Sequence, residues 1–450
     1  MSLKQSNPAI IIYRHAPDEK DLSEELISLV TSCGYTPIKI FKQSRPVSVK
    51  YNLGRGKVLE IKDEIEMLDV RIKDKLTIIF GNDLTPTQKF NLETEFDIEI
   101  IDKTTLILEI FEQRASSEEA KLQVSLARSK YNLAFQKANL LHSIGQRFGT
   151  ERRGYKQLGE SKITVFETGY RRQQAKIEQR LEQLEKYRIE QRKQQVKDTG
   201  VNHYTVSLVG YTSSGKSTLL NALAGSQVPT SAQLFTTLAP ATRRVFIKNT
   251  LLLVSDTVGF LDGLPTSLID AFRSTLEAST HAHILILTLD VSDSIDEIDR
   301  KLRVVINTLS EIGATNRRRL IALNKSDLVS VERIQQITRK LKEDFGEMFS
   351  NIFAISALNE DVSSLKSAIL ALLPQWKYEA NFALQDSSYP KWRSFIYSNY
   401  HVEQDVQNSD GKTSTIIFTT RILINHELSR LENVKLLGSI STDLSPTLAQ

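Results

Sequence analysis

Short apolar runs alternate with amphipathic segments in the first quarter of the chain. Four of these runs have the length and composition of buried strands: 9–13, 37–41, 76–81 and 97–102. Between them, the stretches 22–30 and 58–67 place apolar residues at helical intervals. Strands that alternate with helices at this spacing predict a small α/β domain with a mainly parallel sheet, over residues 1–112.

Residues 113–200 show a helical pattern with a long interruption. Apolar positions in the first part alternate intervals of three and four residues, as in a heptad seam: Val124, Ala127, Tyr131, Ala134, Ala138 and Leu141. A second polar helix is predicted over 172–197, where the seam continues from Ile177 to Leu184. Together they predict an antiparallel helical hairpin. The stretch 143–170 has five glycines and no periodicity, which predicts a long functional loop or a disordered linker.

The region 201–374 again repeats strand-like and helical runs. Six runs are strand-sized: 205–209, 243–247, 251–255, 282–289, 320–323 and 352–355. Helical patterns lie between most of them, which predicts a right-handed, doubly wound parallel sheet. Pro374 ends the last helix of this region. Residues 375–450 are predicted to form a small α+β domain, whose clearest strand is 414–420.

Charge is distributed unevenly along the chain. The whole chain has a net charge of +4, but residues 121–197 contain 18 Lys and Arg against 7 Asp and Glu. A basic segment on an otherwise acidic chain predicts a polyanionic partner that meets the protein there. A solvated helical surface is the alternative interpretation of the same charges.

Composition restricts the compartment. Cys33 is the only cysteine, so no internal disulfide can form, and a reducing compartment fits. The longest apolar runs, near Leu251 and Ile284, are strand-sized and too short to span a membrane. We therefore expect a cytoplasmic protein without membrane insertion.

A candidate phosphate-binding loop follows the first strand of the third region. A GxxxxGK[ST] pattern between a strand and a helix is the context of a P-loop, in which backbone N–H groups face phosphate oxygens. We expect Lys216 to reach the β- and γ-phosphates and Ser217 to place its hydroxyl on Mg²⁺. A chance match in an ordinary loop is the alternative. The predicted nucleotide-binding residues here are Gly210, Tyr211, Thr212, Ser213, Ser214, Gly215, Lys216, Ser217 and Thr218.

A second motif, Asn324-Lys325-Ser326-Asp327, indicates which base is bound. Asp327 can accept two hydrogen bonds from the N1–H and N2–H₂ edge of guanine, where adenine has no donors, so we predict GTP and GDP rather than ATP. Asn324 would tie this turn to the P-loop, and the stem of Lys325 would cover the base. After a later strand, Ser356 and Ala357 are predicted to bring a backbone N–H to guanine O6.

Two further segments carry candidate metal and switch residues. Asp256, which closes the strand 251–255, would hold Mg²⁺ through water, and the Gly259 N–H would face the γ-phosphate. Thr237 is the predicted switch threonine that completes the Mg²⁺ shell, with Thr236 as the neighbouring alternative. Loss of the γ-phosphate would release both segments. We assign Lys216, Thr237 and Gly259 to catalysis, and Ser217, Thr237 and Asp256 to the metal.

Phe260 stands where many small GTPases place the glutamine that orients the attacking water. A phenyl ring cannot form a hydrogen bond to this water as an amide does. We therefore predict slow intrinsic hydrolysis that a partner accelerates. The alternative is a packed apolar residue in a fast enzyme.

These motifs together resemble the HflX family of ribosome-associated GTPases. The similar segments cover nearly the whole chain: 54–57, 86–88, 91–93, 102–123, 210–221, 234–238, 256–260, 264–265, 271–277 and 393–397. The chain departs from the family at Ser213, where Asn is usual, and at Ala239, where Asp is usual. The family's glycine-rich loop motif is not intact between Gly145 and Arg172, where several Arg and Lys occur instead.

The resemblance implies a P-loop GTPase with a doubly wound sheet. A small α/β domain and a helical hairpin precede it, and a small α+β domain follows. It further implies GTP/GDP and Mg²⁺ as ligands, and the large ribosomal subunit as partner. The family splits ribosomes when GTP-bound, with its hairpin loop at rRNA near the peptidyl transferase centre. We expect a monomer and no DNA partner. A GTP-switched ribosome-binding regulator with little hydrolysis is the alternative, and Asp327 disfavours an ATP-driven nucleic-acid remodeller.

Overall fold

The computed structural model of this protein describes fourteen segments of the chain. They are residues 7–17, 21–148, 153–199, 204–225, 241–248, 250–257, 259–260, 279–314, 318–346, 351–373, 376–399, 401–408, 412–420 and 434–439. The described residues fall into two compact units, one up to Leu184 and the other from Glu185 onward.

The first unit begins with a four-stranded sheet in the order β2-β1-β3-β4. Its strands are β1 (Asn7–His15), β2 (Tyr35–Ser44), β3 (Thr77–Phe80) and β4 (Ile100–Asp102), and its helices are α1 (Ser23–Ser32), α2 (Arg55–Glu66), α3 (Val70–Lys73), α4 (Pro86–Phe96) and α5 (Lys103–Arg114). Every strand pairing is parallel. Residues 9–12 of β1 are at most 1% exposed, as expected for a parallel strand covered on both faces. The predicted parallel α/β fold is confirmed.

Two long helices follow, α6 (Glu118–Phe148) and α7 (Arg153–Thr199). The two helices run antiparallel, because residues progressively later in α6 contact residues progressively earlier in α7. Contacts that show this are Arg180 with Glu118, Gln174 with Ser129, Lys137 with Glu167, and Tyr170 with Gln136. The predicted antiparallel hairpin is therefore confirmed.

The prediction of a long loop over 143–170 is wrong. Helix α6 continues to Phe148 and α7 already begins at Arg153, so at most four residues, 149–152, separate the two helices. Glycine lowers helix stability by only about 1 kcal/mol per residue, and neighbouring Lys, Glu, Gln and Leu are good helix formers. The Lys137–Glu167 pair at 2.7 Å and the Tyr170–Gln136 hydrogen bond at 2.9 Å add interhelical contacts. Glycine content alone was therefore not sufficient evidence for a loop.

The second unit contains a six-stranded sheet in the order β10-β9-β8-β5-β7-β6. Its strands are β5 (Tyr204–Gly210), β6 (Ala241–Ile247), β7 (Thr250–Asp256), β8 (Ile284–Asp290), β9 (Arg318–Asn324) and β10 (Ile352–Ala354), and its helices are α8 (Lys216–Ala224), α9 (Ile295–Glu311), α10 (Val331–Phe345) and α11 (Ser363–Leu372). Leu219 on α8 and Ile369 on α11 are fully buried in one core with the strands.

This sheet is parallel except at one edge. Strand β6 pairs antiparallel with β7, so the prediction of an entirely parallel sheet is wrong there. Only two residues separate these strands, which is too short for the crossover that a parallel pair requires. The carboxyl ends of β5, β7, β8 and β9 lie at one edge of the sheet, where doubly wound folds bind their ligands.

A third sheet, in the order β12-β13-β11-β14, is entirely antiparallel. It comprises β11 (Trp376–Ala383), β12 (His401–Gln407), β13 (Thr413–Thr420) and β14 (Val434–Ser439), with helix α12 (Tyr389–Asn399). Ile396 of α12 shares a buried cluster with Tyr378 and Phe418 of the sheet. The α+β character predicted for this segment is confirmed. Within the fourteen segments, no helix is long and apolar enough to cross a membrane.

Candidate nucleotide-binding site

The turn between β5 and α8 is held so closely that two of its glycines have no room for a side chain. A Cβ on Gly215 would lie 2.2 Å from Asn324 Nδ2, and Gly215 has a left-handed backbone with φ of 90°. A Cβ on Gly210 would lie 2.5 Å from the Thr288 carbonyl oxygen. The loop therefore packs closely against both β8 and the Asn324 turn.

Lys216 is the first residue of α8 and is almost completely buried. Its ammonium donates to the carbonyl oxygens of Gly210 and Tyr211, at 3.0 and 2.8 Å. Burial lowers the pKa of Lys216 to about 8, and the charge of Asp256 partly opposes this decrease. The loop thus curls around a cation that a bound anion would stabilise.

A hydroxyl and a carboxylate meet beside this lysine. Ser217 follows it on α8, and Asp256 is the last residue of β7. Ser217 Oγ donates to Asp256 Oδ2 at 2.5 Å, and Asp256 is 1% exposed. The structure therefore brings together two of the three predicted metal ligands. Thr218 lies next on the same helix and is partly exposed.

Asn324 connects three predicted nucleotide-binding segments. Its Nδ2 donates to the Ser214 carbonyl oxygen at 2.9 Å, and its Oδ1 accepts from the Ala357 N–H at 3.0 Å. The side chain is 2% exposed. One buried amide therefore fixes the P-loop, the Asn324–Asp327 turn and the Ser356–Ala357 turn relative to one another.

Asp327 lies in a short 3₁₀ turn, Ser326–Leu328, and is held from one side. Ser356 Oγ donates to Asp327 Oδ1 at 2.5 Å, and the Ser326 N–H donates to the Ile355 carbonyl oxygen at 3.1 Å. These contacts orient the carboxylate before any base is bound. Lys325, which precedes this turn, has a left-handed backbone with φ of 64°.

Phe260 pairs with the P-loop backbone, and Gly259 lies close to that loop. Phe260 N–H donates to the Gly210 carbonyl oxygen at 3.1 Å, and Thr212 N–H donates to the Phe260 carbonyl oxygen at 2.9 Å. A Cβ on Gly259 would approach Lys216 Nζ to 3.1 Å. The Phe260 ring is 2% exposed, so it is a packed apolar group in this structure. The hydrolysis rate stays a prediction.

Some predicted residues lie outside the described segments. Thr236 and Thr237 are among them, as are residues 261–278, which include the family-like stretches at 264–265 and 271–277. The predicted Mg²⁺ ligand Thr237 therefore stays a prediction. Arg153, Lys156 and Lys162 fall within the bounds of α7, but their side chains are not described.

The sequence reasoning missed several side chains around this site. The ammonium of Lys325 contacts Asp290, the last residue of β8. Arg300 and Lys301 of α9 lie over the ring of Tyr211, at 5.4 and 5.2 Å from its centroid. Asp290 directly follows the predicted strand 282–289, and an acidic residue at the carboxyl end of a strand was the signal that could have identified it.

The site defines a class of protein. The phosphate-binding loop, the Ser217–Asp256 pair and the Asn324–Asp327 turn lie at the carboxyl ends of β5, β7 and β9 in one sheet. This arrangement is that of a P-loop GTPase.

Three family models match the chain in consecutive segments. A model described as GTP-binding GTPase N-terminal matches residues 20–112, and one described as GTP-binding GTPase Middle Region matches 114–195. A third, described as 50S ribosome-binding GTPase, matches residues 205–325.

Curated relatives carry the name GTPase HflX. The relative from Thermofilum pendens is 35% identical, over 92% of this chain and 95% of its own length. The relative from Thermococcus kodakarensis is 38% identical, over 81% of each chain. A solved GTP-binding protein from Sulfolobus solfataricus in complex with GDP is 27% identical, covering 81% of this chain and 98% of its own, with a TM-score of 0.44.

The chain belongs to the HflX family of GTPases, which confirms the resemblance seen in its motifs. It binds guanine nucleotides and hydrolyses GTP.

Proposed function

We propose that this GTPase binds the large ribosomal subunit in its GTP-bound state and remodels or splits ribosomes. The observation that best supports the nucleotide dependence is the bridge made by Asn324. Its Nδ2 donates to the Ser214 carbonyl oxygen at 2.9 Å, and its Oδ1 accepts from the Ala357 N–H at 3.0 Å. Because one buried amide connects the phosphate and base sides of the site, a guanine nucleotide would be bound by a preorganised pocket.

In this proposal the base is recognised by Asp327 and Ala357. Asp327 Oδ1 accepts from Ser356, which leaves the other carboxylate oxygen and further lone pairs for the donors of guanine. The Ala357 N–H is already shared with Asn324 Oδ1, so guanine O6 would compete for it or take a second contact. Adenine would place its own amino donor opposite this N–H donor, and it has no hydrogen-bond donors for Asp327.

The residues present fit Mg²⁺ and the phosphates. Ser217 and Asp256 supply hydroxyl and carboxylate oxygens, the hard ligands that Mg²⁺ prefers, and their oxygens are in direct contact. In the described part of the chain no cluster of three or more His, Cys, Asp or Glu could hold a metal ion. This suits an ion that takes its other ligands from phosphates and water. We assign Ser217, Asp256 and Thr237 to it; when bound, Mg²⁺ neutralises charge that develops on the phosphates.

Lys216 and Gly259 would act on the phosphates directly. Lys216 is buried and held by two carbonyl oxygens, so its charge is poorly compensated until a polyanion arrives. Gly259 lies beside this ammonium, where its N–H can donate to a γ-phosphate oxygen. Because Phe260 is paired with Gly210 and Thr212, Gly259 is held next to the P-loop, where a γ-phosphate would lie.

We propose the helical hairpin as the rRNA-binding element. Arg171, Arg172 and Lys176 of α7 are exposed, and exposed Lys and Arg that neutralise RNA phosphates release condensed counterions. The basic residues nearest the tip, Arg152 among them, lie outside the described residues or have undescribed side chains. In this proposal, the basic residues of the hairpin meet the phosphates of rRNA near the peptidyl transferase centre.

One observation favours the second candidate, a GTP-switched ribosome-binding regulator with little hydrolysis. The Phe260 ring is buried where other small GTPases present a glutamine, so this position supplies no side-chain donor or acceptor to an attacking water. In this candidate, GTP binding would place the protein on the ribosome without splitting it.

A light-scattering assay on intact ribosomes separates the two candidates. The first predicts that the protein with GTP, or with a non-hydrolysable analogue, lowers the scattering as subunits separate, whereas GDP does not. Binding without any loss of scattering would favour the regulator. Replacing Arg152, Arg153 and Lys156 together with Glu is expected to abolish splitting. The matched control reverses three exposed charges on α10 instead: Arg339, Lys340 and Lys342.

A further inference from the structure

The side chain of Lys325 depends on a residue outside its own motif. Lys325 has a left-handed backbone, and its side chain is 34% exposed. Its ammonium contacts Asp290 Oδ2. The end of this lysine is thus held by a carboxylate 35 residues earlier in the chain.

Asp290 is itself fixed by the fold. It ends β8 opposite Asn324 of β9, and the next N–H, of Val291, donates to the Asn324 carbonyl oxygen at 3.1 Å. Asp290 Oδ1 accepts from the Ser292 N–H at 3.0 Å and from Ser292 Oγ at 2.6 Å. One carboxylate oxygen is therefore used by the local turn, and the other faces Lys325.

We infer that Asp290 is a positioning residue that holds the stem of Lys325 in place over the guanine base. This inference rests on the proposed guanine pocket. A lysine stem has four rotatable carbon–carbon bonds, so it covers a base consistently only while its charged end is fixed. Asp290 fixes that end, and Ser292 fixes Asp290. The carboxylate is only 14% exposed, which reduces its screening by solvent.

A purely structural ion pair would contribute to folding but not specifically to base binding. The two roles differ in which ligand they affect. A stem that covers the base matters for GTP and GDP, but not for inorganic tripolyphosphate, which has phosphates and no base. A general weakening of the fold would affect all three ligands.

The test is Asp290→Asn, which keeps an oxygen for Ser292 but removes the negative charge that holds Lys325. We expect the Kd for GTP and for GDP to rise on the order of tenfold, through faster dissociation. The Kd of tripolyphosphate should not change. The matched control is Asp299→Asn, which breaks a different pair on α9, to Arg303 at 2.8 Å. It should leave all three affinities and the thermal midpoint near those of the parent.

A double-mutant cycle makes the inference specific. In a Lys325→Ala background, Asp290→Asn should cause no further loss, because the group through which it acts is gone. An equal loss in both backgrounds, or a parallel loss for tripolyphosphate, would overturn the inference. If Asp327→Asn weakens GTP binding while Asp290→Asn does not, only this inference fails. If neither change matters, the guanine pocket itself is wrong.

Discussion

Replacing Asp327 with Asn perturbs the predicted base recognition with little change in size. In the structure one oxygen of Asp327 accepts a hydrogen bond from Ser356 Oγ at 2.5 Å. An asparagine can keep that bond with its carbonyl oxygen, but its NH₂ group would then face the N1–H and N2–H₂ donors of guanine. Two hydrogen bonds to a charged acceptor would be replaced by opposed donors.

The expected cost follows from the strength of charge-assisted hydrogen bonds. Losing hydrogen bonds to a charged group costs about 1.5–3 kcal/mol, which corresponds to roughly one to two decades in Kd. Xanthine carries a carbonyl oxygen where guanine has N2–H₂, so XTP should bind the Asp327→Asn variant better than it binds the parent.

Competition against a fluorescent guanine nucleotide measures all of these affinities. Each competitor, GTP, XTP or ATP, is titrated into the parent, into Asp327→Asn and into the control Asp344→Asn, which removes an α10 carboxylate that pairs with Lys340. The control should bind GTP as the parent does. An unchanged GTP affinity in Asp327→Asn, or equal competition by ATP in the parent, would refute the assignment of Asp327 to guanine.

Three further predictions concern the phosphate side of the site. Burial lowers the pKa of Lys216 to about 8 and a bound polyphosphate would raise it, so binding takes up protons near and above pH 8. GTP affinity should then fall about tenfold between pH 7 and pH 9. Calorimetry in two buffers at pH 8 should detect the proton uptake, and binding without any proton uptake would contradict the prediction. Gly215→Ala should lower GTP affinity by at least tenfold through the 2.2 Å clash with Asn324, whereas Gly225→Ala, also left-handed but with no atom within 4 Å of an added Cβ, should not. Single-turnover GTP hydrolysis should be slow alone and faster with large ribosomal subunits, given the buried Phe260; an equally fast rate without subunits would contradict this.

The site could be predicted from sequence where its residues are consecutive. The P-loop and the Asn324–Asp327 turn each form a short motif after a strand, and the structure places Ser214, Asn324 and Ala357 in contact. Asp290 was missed because its role depends on β8 and β9 being neighbours in the sheet. An acidic residue directly after the strand 282–289 was a local signal, but only the order of the sheet shows that it faces Lys325.

The fold was predicted wrongly where local composition and tertiary contacts disagree. Glycines between 143 and 170 indicated a loop, yet pairs such as Lys137–Glu167 stabilise helices there. Strand β6 was assigned to a parallel sheet because its apolar pattern carries no direction. The two-residue connection to β7 was the available signal, since it permits only a hairpin.

Co-sedimentation with purified large ribosomal subunits tests the central claim most directly. The protein is mixed with large subunits and a non-hydrolysable GTP analogue, GDP or no nucleotide, and is pelleted through a sucrose cushion over a range of salt concentrations. Our account predicts strong pelleting with the GTP analogue, weak pelleting with GDP, and a steep salt dependence from contacts with rRNA phosphates. Equal pelleting in all three nucleotide states, or no association with large subunits, would contradict it.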